Sequence, residues 1–147
     1  MNTRRQVRVI AETTLAEAGI LAMPASDYMN KRQIYFFRQQ LLAMRQDLLQ
    51  NLSETSTHLR QVHVASDPMD RATQEEEQAI ELRTRDRERK LLKKIDQALV
   101  LIESGDYGWC QETGDPIGLE RLLARPTASL SIEAQERREK MERVYGH

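Results

Sequence analysis

Residues 67–72 read DPMDRA, an acidic corner between two helical stretches of nearly equal length. The first stretch runs from Asn30 to Val64 and the second from Asp70 to Ser104. Because an α-helix rises about 1.5 Å per residue, each arm of roughly thirty-five residues spans about 50 Å. Short connections between helices usually produce antiparallel neighbours. The pattern therefore predicts a helical hairpin with the acidic corner at its tip.

Apolar residues recur at spacings of three and four along both arms, which is typical of helices that share one apolar seam. We expect firm packing at the base of the hairpin, where the second arm is most apolar, and an intermolecular coiled coil is the alternative. The predicted seam consists of Ile34, Phe37, Leu41, Met44, Leu48, Leu52, Thr55, Leu59 and Val62 in the first arm and Ile80, Thr84, Arg87, Leu91, Ile95, Ala98 and Ile102 in the second.

The remaining sequence predicts a mainly α fold in which the hairpin stands on a small body. Residues 1–29 form an N-terminal segment that packs on this body, residues 30–104 form the hairpin with its tip at 65–72, and residues 105–147 complete the body. Glycine and proline after Gly105 indicate turns and two short strands. A last helix begins near Ser129 or Ser131, either of which can serve as its N-cap, and ends near Val144.

Composition excludes several classes of protein. Charged residues make up 31% of the chain and aromatic residues 5%, which suits a solvent-rich helical protein better than an enzyme with a deep pocket. The net charge of -1 lacks the positive field that drives DNA binding. No apolar run approaches the roughly 20 residues that span a bilayer, and no signal peptide is apparent, so we expect a cytoplasmic protein. No motif of an autonomous enzyme occurs.

The two aspartates of the corner allow two interpretations. Asp67 before Pro68 is a typical helix start, and Asp70 then lies favourably in the first turn. Alternatively, two carboxylates three residues apart on an exposed tip engage a basic partner or a metal ion held by a partner. A separate group of cations, Lys90, Lys93 and Lys94 with Arg125, suits either a phosphorylated ligand or a solvated helix face.

Four positions in the last third of the chain have the spacing of a two-pair zinc site: Cys110 with Thr113, and Ser131 with Ala134. Only the first can supply a thiolate, and hydroxyl groups are poor zinc ligands. We therefore expect a body without metal, in which Cys110 is a small apolar residue and not an activated thiolate. Apolar packing replaces the metal and involves Tyr107, Trp109, Ile117, Leu119, Leu122, Leu123, Leu130 and Ile132.

Four stretches together resemble the DksA family of bacterial transcription factors, from about Tyr28 to the final helix. They are DPMDRA at the corner, ELRTRDRERK from Glu81, GDYGWC at residues 105–110 and RLLARPTA from Arg121. The resemblance implies a protein that does not bind DNA but inserts a coiled-coil hairpin into the secondary channel of RNA polymerase. The tip of such a hairpin approaches the active centre and destabilises promoter complexes.

The resemblance also implies roles for individual residues. Asp67, Asp70 and Ala72 match the functional tip of the family, and Arg87 matches a polymerase contact on the arm. Family members help to bind guanosine tetraphosphate (ppGpp) at the polymerase interface, and the matching positions here are Leu91, Lys94 and Arg125. Gln135 stands where a lysine is usual, which weakens the expected nucleotide affinity.

The four zinc positions, Cys110, Thr113, Ser131 and Ala134, are where this chain departs from the family pattern. The departure implies a metal-free paralogue that binds no cofactor by itself, and our hypothesis is that it acts where zinc is scarce or thiols are oxidised. We expect a monomer, because polar Thr84 and Arg87 on the seam disfavour a long intermolecular zipper, and the resemblance implies that it acts with ppGpp. Two other functions stay open. One is stimulation of transcript cleavage, with the acidic pair recruiting Mg²⁺ inside the polymerase, and the other is a structural coiled-coil adaptor.

Overall fold

The computed structural model describes the backbone of residues 16–61 and 67–146, together with their side chains except those of 55–61. Several predictions concern residues outside this description: the N-terminal segment before residue 16, the seam residues Thr55, Leu59 and Val62, and tip residues 65 and 66. In the described part of the chain the fold is mainly helical, as predicted. Its long helices are α1 (Lys31–Gln61) and α2 (Pro68–Ser104), followed by α3 (Leu119–Ala124) and α4 (Ile132–Tyr145).

Shorter elements complete the described chain. Residues 16–21 are helical, and a 3₁₀ turn follows at Ala25–Asp27. The two short strands expected after Gly105 are reduced, within the described residues, to one isolated antiparallel bridge between Trp109 and Pro116. None of the described helices is both long and apolar enough to cross a membrane.

The chain divides into two compact units, and the boundary crosses both long helices. The hairpin unit comprises residues 42–97, and the body unit comprises residues 1–41 and 98–147. Within the hairpin unit, Arg45 Nε donates to Asp96 Oδ1 at 2.8 Å. Within the body unit, Arg38 pairs with Glu103 at 3.7 Å. From the first pair to the second, the residue number falls on α1 and rises on α2, as it does in antiparallel helices. The predicted coiled-coil hairpin is thereby confirmed.

The seam of the hairpin unit is apolar near its base and polar toward its tip. Leu48 and Ile95 are buried, and Met44, Leu52 and Leu91 are half-buried. Nearer the tip, before Leu91 on α2, half-buried positions are occupied by Glu81, Arg85 and Glu88. Among the residues the structure describes, buried Arg85 Nε and Glu88 Oε2 have no hydrogen-bond partner, which makes this half of the seam less favourable.

Two residues assigned to the seam from the sequence lie outside it. Ile80 is 59% exposed, and Arg87 is also exposed. The register of α2 is fixed at its base by buried Ile95, and heptad steps back from Ile95 reach Glu88 and Glu81 instead. Ile80 is the apolar residue nearest the expected position, but packing at Ile95 rotates it to the surface together with Arg87, one heptad after it.

The core of the body unit is built around two rings. Phe37 and Tyr107 are buried with ring centroids 5.7 Å apart, and the Tyr107 hydroxyl donates to Pro126 O at 2.7 Å. Burial raises the pKa of the Tyr107 hydroxyl, so it remains protonated and able to donate. Of the residues predicted to replace the metal, those buried are Tyr107, Ile117, Leu122 and Leu130, those half-buried are Leu119 and Leu123, and those exposed, contrary to prediction, are Trp109 and Ile132.

A polar network at the start of α1 joins two parts of the body unit, and sequence reasoning missed it. The Tyr28 hydroxyl donates to Gly108 O at 2.5 Å and accepts from Gly118 N at 3.0 Å. Fully buried Gln33 accepts from Met29 N at 2.8 Å, and its own N–H donates to Asn30 Oδ1 at 2.9 Å. Tyr28 therefore connects the segment before α1 to the turns on both sides of the bridge.

Candidate functional site

The tip begins with the helix start that the sequence predicts. Met69 N donates to Asp67 Oδ1 at 3.0 Å, and Arg71 N donates to Asp67 O at 2.9 Å. Asp67 therefore caps α2, and Pro68 occupies the first helical position, where no N–H donor is needed. The interpretation of Asp67 as an N-cap is confirmed.

The second acid of the tip has a different environment. Asp70 is exposed in the first turn of α2, and in the described part of the chain its carboxylate has no hydrogen-bond or ion-pair partner. Met69 and Ala72 beside it are exposed too. Because the start of α2 is held by the cap, Asp70 presents a negative charge on a fixed helical turn.

The predicted contact residues on the arm lie farther along α2, within the hairpin unit. Arg87 and Lys94 are exposed, and Leu91 is half-buried at the edge of the seam. Arg87 and Lys94 are separated by one heptad and lie close to the same side of the helix. The described residues provide no ion pair to either cation, so both are available to an anionic partner.

The remaining predicted nucleotide residues belong to the body unit. Arg125 is exposed directly after α3, and its N–H donates to Arg121 O at 2.7 Å. Gln135 lies on α4, and its side-chain amide donates to Glu139 at 3.0 Å. Since Lys94 and Arg125 belong to different units, their grouping around one nucleotide stays a prediction.

The four positions with zinc-site spacing form a hydrogen-bonded cluster. Buried Ser131 caps α4, because its side chain accepts from Ala134 N at 3.2 Å, and this confirms the predicted start of the last helix. The segments are joined where Gln111 N donates to Ser129 O at 2.9 Å. Cys110 is buried, and the Thr113 hydroxyl and the N–H of Ser131 lie close enough to its sulfur to affect the pKa of its thiol.

Comparison with known proteins covers both units. The family described as DnaK suppressor protein DksA, N-terminal domain, matches residues 33–102. The family described as prokaryotic dksA/traR C4-type zinc finger matches residues 105–140. A protein of Caulobacter vibrioides named RNA polymerase-binding transcription factor DksA is 54% identical over 125 residues, which cover 83% of this chain and 88% of that protein. The chain belongs to the DksA family.

Further DksA relatives agree with this assignment. The protein of the same name in Escherichia coli is 46% identical over 125 residues, covering 82% of this chain and 83% of that protein. The solved structure of transcription factor DksA2 from Pseudomonas aeruginosa is 50% identical and covers 90% of this chain and 98% of that chain, with a TM-score of 0.76. The resemblance found in the sequence is thereby confirmed.

The residues of this DksA-family chain do not fit the zinc ion that the C4-type finger implies. The side chain of Ala134 has no atom that can bind a metal ion, and the side-chain oxygen of Ser131 caps α4. Neutral hydroxyls such as that of Thr113 are weak zinc ligands. Among the residues the structure describes, no group of three or more His, Cys, Asp or Glu side chains is placed to hold a metal.

Cys110 differs from its predicted role in one respect. It is buried, as expected of a small apolar residue, but its thiol is not an ordinary one. Burial raises the pKa of the Cys110 thiol, and hydrogen bonds from the Thr113 hydroxyl and from the N–H groups of Ser131, Thr113 and Glu112 outweigh this effect. The pKa falls to about 6, so the expectation that nothing activates the thiolate is wrong.

The lowered pKa of Cys110 predicts a pH-dependent contribution to stability. A folded-state pKa of about 6 lies below the ordinary value near 8.5. The thiolate therefore stabilises the fold fully above about pH 8.5, and this contribution is lost as the pH falls through about 6. Relative to Cys110→Ala, the wild-type Tm should fall on the order of 10 °C between about pH 9 and pH 5.

Thermal melts of both proteins across this pH range measure the difference. Thr113→Val is the matched control, because it removes the hydroxyl donor and should flatten the wild-type profile while keeping Cys110. Parallel profiles of the wild type and Cys110→Ala would show that the Cys110 thiol has the same pKa in the folded and unfolded states.

Proposed function

We propose that this protein is a transcription regulator that binds RNA polymerase through the secondary channel and modulates initiation at ribosomal RNA and stringent-response promoters together with ppGpp, without zinc. The observation that carries the proposal is the exposed carboxylate of Asp70, which has no partner among the described residues, on a capped helix start in a DksA-family hairpin. Relatives carry the name RNA polymerase-binding transcription factor, which supports the partner. A regulator of this kind is not an enzyme, and it acts as a monomer in the cytoplasm.

The proposal gives the tip residues separate roles. Asp70 carries the charge that alters interactions near the polymerase active centre, and Ala72 allows close approach because its side chain is small. Asp67 acts by holding the first turn in place through its hydrogen bond to Met69 N. Arg87 binds an acidic group of the polymerase farther up the arm.

In this scheme residues 30–104 are the inserted arm, with its tip at 65–72. Residues 1–29 and 105–147 form the part that stays outside.

The same proposal assigns the nucleotide to a shared site. Lys94 and Arg125 are the cations proposed for the phosphates of ppGpp, and Leu91 is the apolar residue proposed to contact the nucleotide. Gln135 supplies no charge, and its amide already donates to Glu139. We therefore expect this protein to respond to ppGpp with lower apparent affinity than a relative with lysine at that position.

Transcript cleavage is the alternative function. One oxygen of Asp67 accepts the capping hydrogen bond, so recruitment of Mg²⁺ would use its other oxygen and the carboxylate of Asp70. The adaptor alternative is less favoured because the apolar seam at Leu48 and Ile95 is filled within the hairpin unit. Release of short RNA fragments from backtracked complexes would support cleavage, and micromolar sedimentation as a dimer would support the adaptor.

Transcription in vitro tests partner, nucleotide and metal independence together. The regulator is incubated with the zinc chelator TPEN, freed of it, and added to RNA polymerase on a ribosomal RNA promoter with and without ppGpp. We expect unchanged inhibition after chelation, because the residues at the four zinc positions do not fit the metal. A relative with four cysteines is the control and should lose activity. Loss of activity by this protein after chelation would contradict the proposed metal independence.

A further inference from the structure

A surface groove lies in the body unit between the helical residues 16–21 and the first turns of α1. Its volume is about 460 Å³, which is within the range of small-molecule sites. The apolar side chains that line it are those of Ile20, Met23, Tyr35 and Phe36. The described residues of its lining all belong to the body unit, and none of them is a predicted polymerase or nucleotide contact.

Hydrogen bonds hold one wall of this groove in place. The Met23 sulfur accepts from Asn30 Nδ2 at 3.5 Å and from Gln33 Nε2 at 3.4 Å. Gln33 is fully buried and also accepts from Met29 N at 2.8 Å, so a network at the start of α1 fixes the position of Met23. Ile20, on the opposite border, is buried as well. The groove is therefore a formed feature of the fold.

Gly19 keeps part of the groove open. It lies within the helical residues 16–21, where glycine is less favourable than alanine. Its φ is outside the left-handed region, and a Cβ added to it would meet no described atom within 4 Å. The backbone therefore does not require glycine at this position. Because Gly19 lines the groove, a larger side chain there would occupy the open space.

The exposed edge of the groove is positively charged. Lys31 and Arg32 line it from the first turn of α1, where acids are normally favoured and where this helix has none. Within the described residues, neither cation makes an ion pair. Glu17 and Asp27 are close in sequence but do not line the groove. This edge is therefore complementary to an anion.

Apolar walls beside a cationic edge fit a molecule with an apolar body and one anionic end. A sugar phosphate fits poorly, because its hydroxyl groups would face Ile20, Met23 and Phe36. A helix of a partner protein is disfavoured too, since the helical border at residues 16–21 is only about 9 Å long. Small aliphatic anions meet both requirements.

We propose that this groove binds an unesterified aliphatic carboxylate. The carboxylate lies at Lys31 and Arg32, and the aliphatic chain packs against Ile20, Met23 and Phe36. The proposal goes beyond the proposed function, because it requires neither RNA polymerase nor ppGpp. It gives the body unit a ligand site of its own.

Calorimetric titration of the full-length protein with sodium decanoate, below the concentration at which it forms micelles, tests the site. We expect one decanoate per chain. Gly19→Leu should weaken binding at least about tenfold, because the new side chain fills the groove. Ala18→Leu is the matched control, since Ala18 is exposed on the same helical segment but does not line the groove. Its affinity should stay within about twofold of the wild type.

A second comparison tests the role of the charges. Lys31→Gln combined with Arg32→Gln should weaken decanoate binding about tenfold. Decanol has the same chain without the charge, so its affinity for this variant and for the wild type should agree within about twofold. Equal losses for decanoate and decanol would overturn the assignment of the carboxylate to the two cations.

Other occupants of the groove give different results. If decanoate does not bind the wild type, or binds Gly19→Leu as tightly as Ala18→Leu, the inference is overturned. A Tm of Gly19→Leu below that of Ala18→Leu, without decanoate binding to the wild type, would show that the chain itself fills the groove. A dimer in sedimentation that Gly19→Leu dissociates would show a contact between copies. Each of these results overturns the inference and leaves RNA polymerase binding, measured separately, unaffected.

Discussion

Asp70→Asn should remove most of the regulatory activity while leaving folding and polymerase binding intact. Asp70 is exposed and, among the described residues, has no partner, so an amide of the same shape costs little stability beyond a weaker interaction with the helix dipole. We expect loss of the Asp70 charge to have an effect only when the tip is bound inside RNA polymerase. We expect the shortening of promoter-complex lifetime at a ribosomal RNA promoter to be at least about tenfold weaker, equivalent to ~1.4 kcal/mol.

The same experiment measures the promoter-complex lifetime and the polymerase affinity for two control variants. Glu75→Gln removes another exposed charge from α2 away from the tip turn and should keep activity. Asp67→Asn should also retain most activity, because asparagine is a good N-cap and can accept the hydrogen bond from Met69 N. Full activity of Asp70→Asn with normal binding would show that the charge of Asp70 has no role in regulation.

Tyr107→Ala should produce the largest loss of stability in the body unit. The ring is buried against Phe37, and its hydroxyl satisfies Pro126 O, so truncation leaves a cavity and an unpaired carbonyl. Comparable truncations of aromatic core residues cost about 3–5 kcal/mol, whereas Tyr107→Phe should cost only about 1–2 kcal/mol. Urea denaturation followed by circular dichroism measures both values.

Tyr145→Ala is the control for this prediction, because Tyr145 is 77% exposed at the end of α4 and should change stability by less than about 0.5 kcal/mol. Comparing Tyr107→Ala with Tyr145→Ala tests whether apolar packing stabilises the body unit, whose residues do not fit zinc. A loss below about 1 kcal/mol for Tyr107→Ala would mean that the core around Phe37 and Tyr107 contributes little to the stability of this body.

Most of the fold follows from local patterns in the sequence. The two long helices show the required periodicity, and both Asp67 and Ser131 cap helices as predicted, because capping depends on residues within one turn. The rotation of Ile80 and Arg87 out of the seam was not predictable in the same way. It depends on the register of α2, which packing at Ile95 determines. A local apolar pattern in the sequence does not contain that information.

Long-range polar contacts explain the other differences. Tyr28 reaches the backbone at Gly108 and Gly118, far along the chain, so no spacing pattern indicates it. Trp109 was expected in the core but is 37% exposed, and its ring packs edge-on against Tyr28 with centroids 5.2 Å apart. The lowered pKa of Cys110 likewise depends on N–H groups that only the folded chain brings to the sulfur.

Site-specific photo-crosslinking from the tip tests the central claim most directly. A photoreactive amino acid at position 70 is introduced into the full-length protein, which is irradiated with purified RNA polymerase holoenzyme. We expect a crosslink to a large polymerase subunit that excess unlabelled wild-type protein prevents. Efficient crosslinking of position 70 only to its own chain, or no crosslink under conditions where the two proteins bind, would contradict a hairpin that delivers Asp70 into the polymerase.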